Sequence, residues 1–263
     1  MIPFLFLSIF NSRSLSAKIN ETDKAYVSGA IVKGQFKSSN INIQDGNQGP
    51  YKLQGQHGEL YILVVSGSEK VYVNGLLLQR GENKDYIINC HWALYCDNYL
   101  EGFHIPFVHE DLNKALDYGS YKTEIYEHFN LQIGYSQGGE EVFDLPEGHP
   151  DYGKNVAAYY YWVFPNMMFN FYPWGLSINI VKPIHLNKTK VSFITYVYDE
   201  SKINTGAGAL LDKVEREDEF VVEGVHRGLQ SKFYTSGRFS PTREKGVHHF
   251  HGLLAKYLNN NTL

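Results

Sequence analysis

The chain has 263 residues, with 24 Lys and Arg against 28 Asp and Glu for a formal charge of −4. One large domain, or one domain plus a smaller module, is expected at this size. A 43% hydrophobic share with 20% charged residues excludes a disordered or collagen-like chain, and the acidic balance argues against general nucleic-acid binding. The two cysteines, Cys90 and Cys96, are too few for a disulfide scaffold or a four-cysteine metal site and read as small buried apolar groups. No apolar run reaches the roughly eighteen residues of a membrane span.

In chain order, Met1 to Phe10 is apolar with no preceding Lys or Arg, so PFLFLSI reads as a buried strand rather than a secretion signal. Residues 18–85 read as a small all-β module. Its strands are expected at 26–27, 30–32, 41–43, Leu60–Val65, Val71–Val73 and Leu76–Leu78, with turns at Asp45-Gly46, Gly49-Pro50, Ser66-Gly67 and the hairpin dipeptide Asn74-Gly75. The stretch from about Tyr121 to Tyr198 is aromatic and strand-rich, with strands expected at Ala157–Phe164, Met167–Tyr172, Leu176–Pro183 and Lys190–Tyr198. Helical spacing of apolar residues follows at Leu211–Leu229 and Glu244–Leu258. Strands between helices suggest an α+β domain whose sheet wraps a cavity. Alternation sends half of the set Tyr159–Trp162, Phe164, Phe169, Phe171, Tyr172 and Trp174 to each sheet face, and one face is expected to line a pocket.

The segment with chemical content is Asn89–Leu112, which places His104 and His109 five residues apart among carboxylates. Five residues advance an ideal helix by about 500°, so the pair would not share a face. Pro106 bends the chain between them, and both imidazoles can then converge on one metal from a bent helix and its following turn. Asp97 and Glu110 read as solvated charges. His248, His249 and His251 read as structural residues of a helix, since only the first and last share a face.

The run Asn98, Tyr99, Glu101, His104, His109 resembles the iron-binding signature of Rieske-type ring-hydroxylating and choline-monooxygenase-like oxygenases. The resemblance extends over about Tyr86 to Leu258. It takes in the acidic run at 215–219 and the stretches at 234–240 and 244–251. It implies a helix-grip catalytic domain over 86–263, a curved antiparallel sheet around a cavity with flanking helices. It also implies a mononuclear Fe(II) held by His104, His109 and Asp218, with Glu101 linking the iron to an electron-donating cluster. Two imidazoles and a carboxylate form a facial triad suited to dioxygen activation, and a carboxylate on the outer imidazole nitrogen would fix its tautomer. The partners so implied are dioxygen, a small aromatic or quaternary-ammonium substrate, an electron-donor protein in trans and further copies in a homotrimer. A cytoplasmic location is expected.

The chain departs from that family in lacking the Cys-x-His and Cys-x-x-His pairs of a Rieske [2Fe–2S] domain, so no such cluster is expected in it. Residues 1–17 resemble the strand that closes the Rieske domain, and VYVNGLLLQRGENKDY resembles hairpins of virion structural proteins. Two other readings stand beside the oxygenase: a non-catalytic ligand-binding or structural relic fused to a virion-like β module, and a zinc-dependent hydrolase using His104 and His109.

Overall fold

The computed structural model describes residues 48–55, 58–64, 70–73 and 76–259. The apolar opening segment, the strands expected at 26–27, 30–32 and 41–43, and the turns at Asp45-Gly46, Ser66-Gly67 and Asn74-Gly75 lie outside these residues. The chain divides into two units. One comprises Met1–Arg80, Asp144–Gly153 and Tyr196–Tyr198, and the other comprises Gly81–Phe143, Lys154–Thr195 and Asp199–Leu263.

In the first unit, β1 (Gln48–Gly55), β2 (Gly58–Val64), β3 (Lys70–Val73) and the start of β4 (Leu76–Ile88) form an antiparallel meander. Gly49-Pro50, expected as a turn, instead lies within β1 where the register shifts. Among the described strands, β1 lies at the edge of the sheet. A proline without an N–H next to a glycine without a side chain can interrupt one ladder there without ending the strand.

The second unit is an α+β domain. Its sheet has the strand order β4, β10 (Lys188–Val197), β9 (Gly175–His185), β8 (Met167–Tyr172), β7 (Val156–Val163), β6 (Phe129–Tyr135) and β5 (Lys122–Ile125). From β5 to β9 each neighbouring pair is antiparallel. Its described helices are α1 (Trp92–Tyr99), α2 (Ile105–Val108), α3 (Glu110–Ala115), α4 (Leu211–Leu229) and α5 (Lys245–Asn259).

Cross-strand register sorts the aromatic middle into two faces. Leu131, Tyr161, Phe169 and Ile178 pair in sequence across one face, whereas Gln132, Tyr160, Asn170 and Ser177 pair across the other. The second face also carries Trp162 and Met168, which pack with Trp92, Cys96 and Leu100 of the α1 segment and with Val247, Phe250 and Leu253 of α5. Phe250 stands edge-on to Trp162 at 5.0 Å and to Trp92 at 5.7 Å, and burying such a side chain contributes about 1.5–3 kcal/mol. Cys90 and Cys96 are unpaired and fully buried in this cluster.

Candidate metal centre

The region expected as a bent helix and its following turn is three short helices, and both histidines sit at their joints. Pro106 occupies the first turn of α2, where its missing N–H is no loss. His104 precedes that helix. His109 closes it and opens α3 with a non-helical ψ of 80°. A helix of only four residues thus separates the two rings, which meet edge-on with centroids 4.9 Å apart. The approach to His104 is held by Glu101, whose Oε2 accepts the backbone N–H of Phe103 and of His104.

Asp218 arrives from α4. Leu211, Val214, Glu215, Asp218 and Val222 lie along one stripe of that helix, so the acid is carried on the inward face. Three residues of α1 at the same spacing anchor the centre. Tyr95 Oη donates to Glu215 Oε2 at 2.5 Å, Asn98 Nδ2 to Asp218 Oδ1 at 2.7 Å, and Tyr99 Oη to Asn170 Oδ1 at 2.7 Å.

His104 Nε2 and His109 Nε2 are 3.1 Å apart, and Asp218 Oδ1 lies 3.1 Å from His109 Nε2 and 3.4 Å from His104 Nε2. The outer nitrogens are both engaged. His104 Nδ1 faces Glu101 Oε1 at 2.5 Å, and His109 Nδ1 faces Glu217 Oε2 at 2.7 Å. Carboxylates on both Nδ1 atoms favour the tautomer whose Nε2 lone pair points inward.

Among the described residues this trio is the group whose donor atoms could hold a metal. A cation about 2.1 Å from three donors at right angles sets them about 3.0 Å apart, close to the separations seen, so the donor set fits a facial triad. Burial opposes charge on His104, but the hydrogen bonds to Asp218 and Glu101 push its pKa up to about 9. Burial opposes ionisation of Asp218, but hydrogen bonds from both imidazoles hold it down at about 2.

Beside the triad lies a cavity of about 110 Å³. The row Gln132, Tyr160, Asn170 and Ser177 forms part of its wall, with Tyr99, Tyr121 and Tyr172. Of the nine aromatic residues expected to divide between core and pocket, Tyr160 and Tyr172 reach this cavity, and the other tyrosines that line it, Tyr95, Tyr99 and Tyr121, come from outside that set. Burial first, then the charge of Asp218, holds the Glu215 carboxyl well above the usual carboxylate range.

The structure therefore brings Glu101, His104, His109 and Asp218 together. Two expectations are corrected or extended. Asp97 is not a free solvated charge, because His251 Nε2 lies 2.9 Å from its Oδ1. Glu217, the carboxylate behind His109, was not singled out in the sequence. Its only signal there was membership of the acidic run at 215–219, which does not say which acid faces which nitrogen.

An antiparallel sheet with flanking helices is the architecture of the Rieske oxygenase catalytic domain. The model of the ring hydroxylating alpha subunit (catalytic domain) family matches residues 76–260, and the chain belongs to that family. A domain of unknown function (DUF8818) matches residues 36–93. The chain is similar to the chloroplastic choline monooxygenase of Arabidopsis thaliana, 38% identical over 65% of this chain and 40% of the relative. It is also similar to the carnitine monooxygenase oxygenase subunit of Escherichia coli (strain K12), 27% identical over 63% of this chain and 46% of the relative. The chain thus spans about two-fifths of the length of the choline monooxygenase relatives. In fold, it resembles a quaternary ammonium Rieske monooxygenase, with a TM-score of 0.52 at 21% identity over 68% of this chain and 49% of the other. It also resembles naphthalene 1,2-dioxygenase from Rhodococcus sp., with a TM-score of 0.51 at 14% identity over 71% of this chain and 58% of the other.

Proposed function

We propose that residues 86–263 act as the catalytic domain of a Rieske-type oxygenase that holds mononuclear Fe(II) on His104, His109 and Asp218. With dioxygen, it hydroxylates a small aromatic or quaternary-ammonium molecule. The observation that supports this reading is the convergence of two imidazole Nε2 atoms and one carboxylate oxygen within 3.1 to 3.4 Å of one another, with Asn98 Nδ2 donating to that carboxylate oxygen. Fe(II) bound there would supply dioxygen activation at the positions the three ligands leave free.

The chain's own residues do the rest. Glu101 and Glu217 hold the imidazole tautomers, Asn98 orients Asp218, and the tyrosine-rich wall positions the substrate and limits water. Electrons come from a Rieske [2Fe–2S] centre in a donor protein or a neighbouring copy, as in a homotrimer. Glu101 suits that delivery because it touches His104 and lines both the cavity and an outer groove edged by Phe103 and Phe107.

The test is iron and acid-labile sulfide in anaerobically purified protein, wild type beside His104→Ala/His109→Ala. About one iron per chain, absent from the double variant, is expected. Zinc in its place would favour a hydrolase. No metal after reconstitution would leave a cavity-bearing binding protein.

A further inference from the structure

Glu215 is a carboxyl group that the metal centre does not use. It is 2% exposed, lines the cavity, and receives the Tyr95 hydroxyl on Oε2, while Oε1 has no partner. Gln132 repeats the pattern in the same cavity. It is 1% exposed, its Nε2 donates to the Tyr99 carbonyl at 2.8 Å, and its Oε1 has no partner. Buried acceptors are costly unless a donor meets them, and here two of them border one cavity.

Carboxyl groups cluster around that space. Glu101, Glu215 and Asp218 border it, Glu217 stands behind His109, and no Lys or Arg is among the described residues that line it. A ligand carboxylate would meet no Lys or Arg there. An ammonium ion would meet a carboxyl group and the rings of Tyr99, Tyr121, Tyr160 and Tyr172, and aromatic rings attract cations. A carboxyl group kept protonated by burial ionises when a positive charge arrives beside it.

We propose that Glu215 is the specificity-determining residue of the cavity, and that the site takes a small organic cation bearing a hydrogen-bond donor and no carboxylate. This inference rests on the oxygenase reading above and narrows it. Of the two substrates in the relatives' names, choline has this chemistry, whereas carnitine carries a carboxylate.

The test is calorimetric binding of choline, carnitine and the uncharged alcohol in which carbon replaces the choline nitrogen, using the full chain after iron reconstitution. Wild type should prefer choline over the uncharged alcohol by about tenfold or more, and carnitine should bind more weakly than choline. In Glu215→Gln the preference should fall to near parity while the affinity for the alcohol is unchanged. A merely structural role would weaken both ligands together. Tyr95→Phe, which leaves the carboxyl in place, should keep the preference.

The inference is overturned if wild type shows no cation preference, if it binds neither compound, if carnitine binds as well as choline, or if Glu215→Gln retains the wild-type ratio. Should Glu215→Gln fail to fold, Glu215→Asp decides: the shortened carboxylate must weaken choline and spare the alcohol. Iron is assayed in the same samples. Cation preference without iron keeps this inference and removes the oxygenase reading, and iron without the preference does the reverse.

Discussion

Glu217 and Asp218 are adjacent on α4 and address opposite nitrogens of a single imidazole, with Glu217 Oε2 2.7 Å from His109 Nδ1 and Asp218 Oδ1 3.1 Å from His109 Nε2. His109, only 2% exposed, is therefore fixed in tautomer and orientation by one turn of one helix. Glu217→Gln removes the charge but keeps the shape. Metal affinity, measured by chelator competition, is expected to fall about 10- to 100-fold. An unchanged affinity would remove Glu217 from the centre's support.

Glu101 holds His104 from behind in the same way but adds two backbone contacts, to the N–H groups of Phe103 and His104. Glu101→Gln should keep stoichiometric iron yet slow reduction by an added Rieske donor, read by stopped-flow spectroscopy. Asp218→Ala removes a ligand atom and leaves Asn98 Nδ2 without its acceptor, so iron binding should be lost while the far-ultraviolet circular dichroism stays that of the wild type. Stoichiometric iron in the Asp218 variant would sink that ligand assignment.

Gly246, at the start of α5, lies where a Cβ would stand 2.4 Å from the Leu100 carbonyl oxygen. Leu100 directly precedes Glu101, so the close approach of α5 bears on the turn that holds His104. Gly246→Ala should cost about 1–3 kcal/mol in chemical denaturation, the usual range for overpacking, and should also weaken iron retention. Wild-type stability in this variant would mean that the helix can retreat freely.

His251 and Asp97 tie α5 to α1. The hydrogen bond to Asp97 raises the His251 pKa above its ordinary value, against the effect of burial. A histidine whose folded pKa is raised contributes stability that is fully present below the unfolded value of about 6.5 and is lost as pH rises through the folded value. The His251 side chain is 45% exposed, so solvent screening limits the contribution to a few tenths of a kcal/mol, about 0.5 at most. The stability gap between wild type and His251→Asn should accordingly be larger at about pH 6 than at about pH 9. A gap that widens with rising pH would contradict the pairing.

Much of the centre was legible along the chain because its parts are local. Asn98, Tyr99, Glu101, His104 and His109 fall within twelve residues, and the effect of Pro106 on a helix follows from its chemistry alone. The inward stripe of α4 was legible for the same reason, since helical geometry puts Glu215, Asp218 and Val222 on one face whatever lies opposite. The sequence by itself thus determined the neighbouring pair His104 and His109, the long helix that carries Asp218, and the strand-rich character of the middle.

What lies opposite those residues only the tertiary structure decided. That Glu217 rather than Glu219 backs His109, that Tyr95 meets Glu215 across 120 residues, and that Asp97 meets His251 across 154 all depend on how α1, α4 and α5 pack. The cavity wall depends on register. Gln132, Tyr160, Asn170 and Ser177 form one row because four strands pair at particular offsets, and a slip of one residue would bring Leu131, Tyr161, Phe169 and Ile178 there instead. Short-range spacing is a property of the chain. The choice of partner across a packed interface is a property of the whole core, so the shape of the site is decided only where the elements pack.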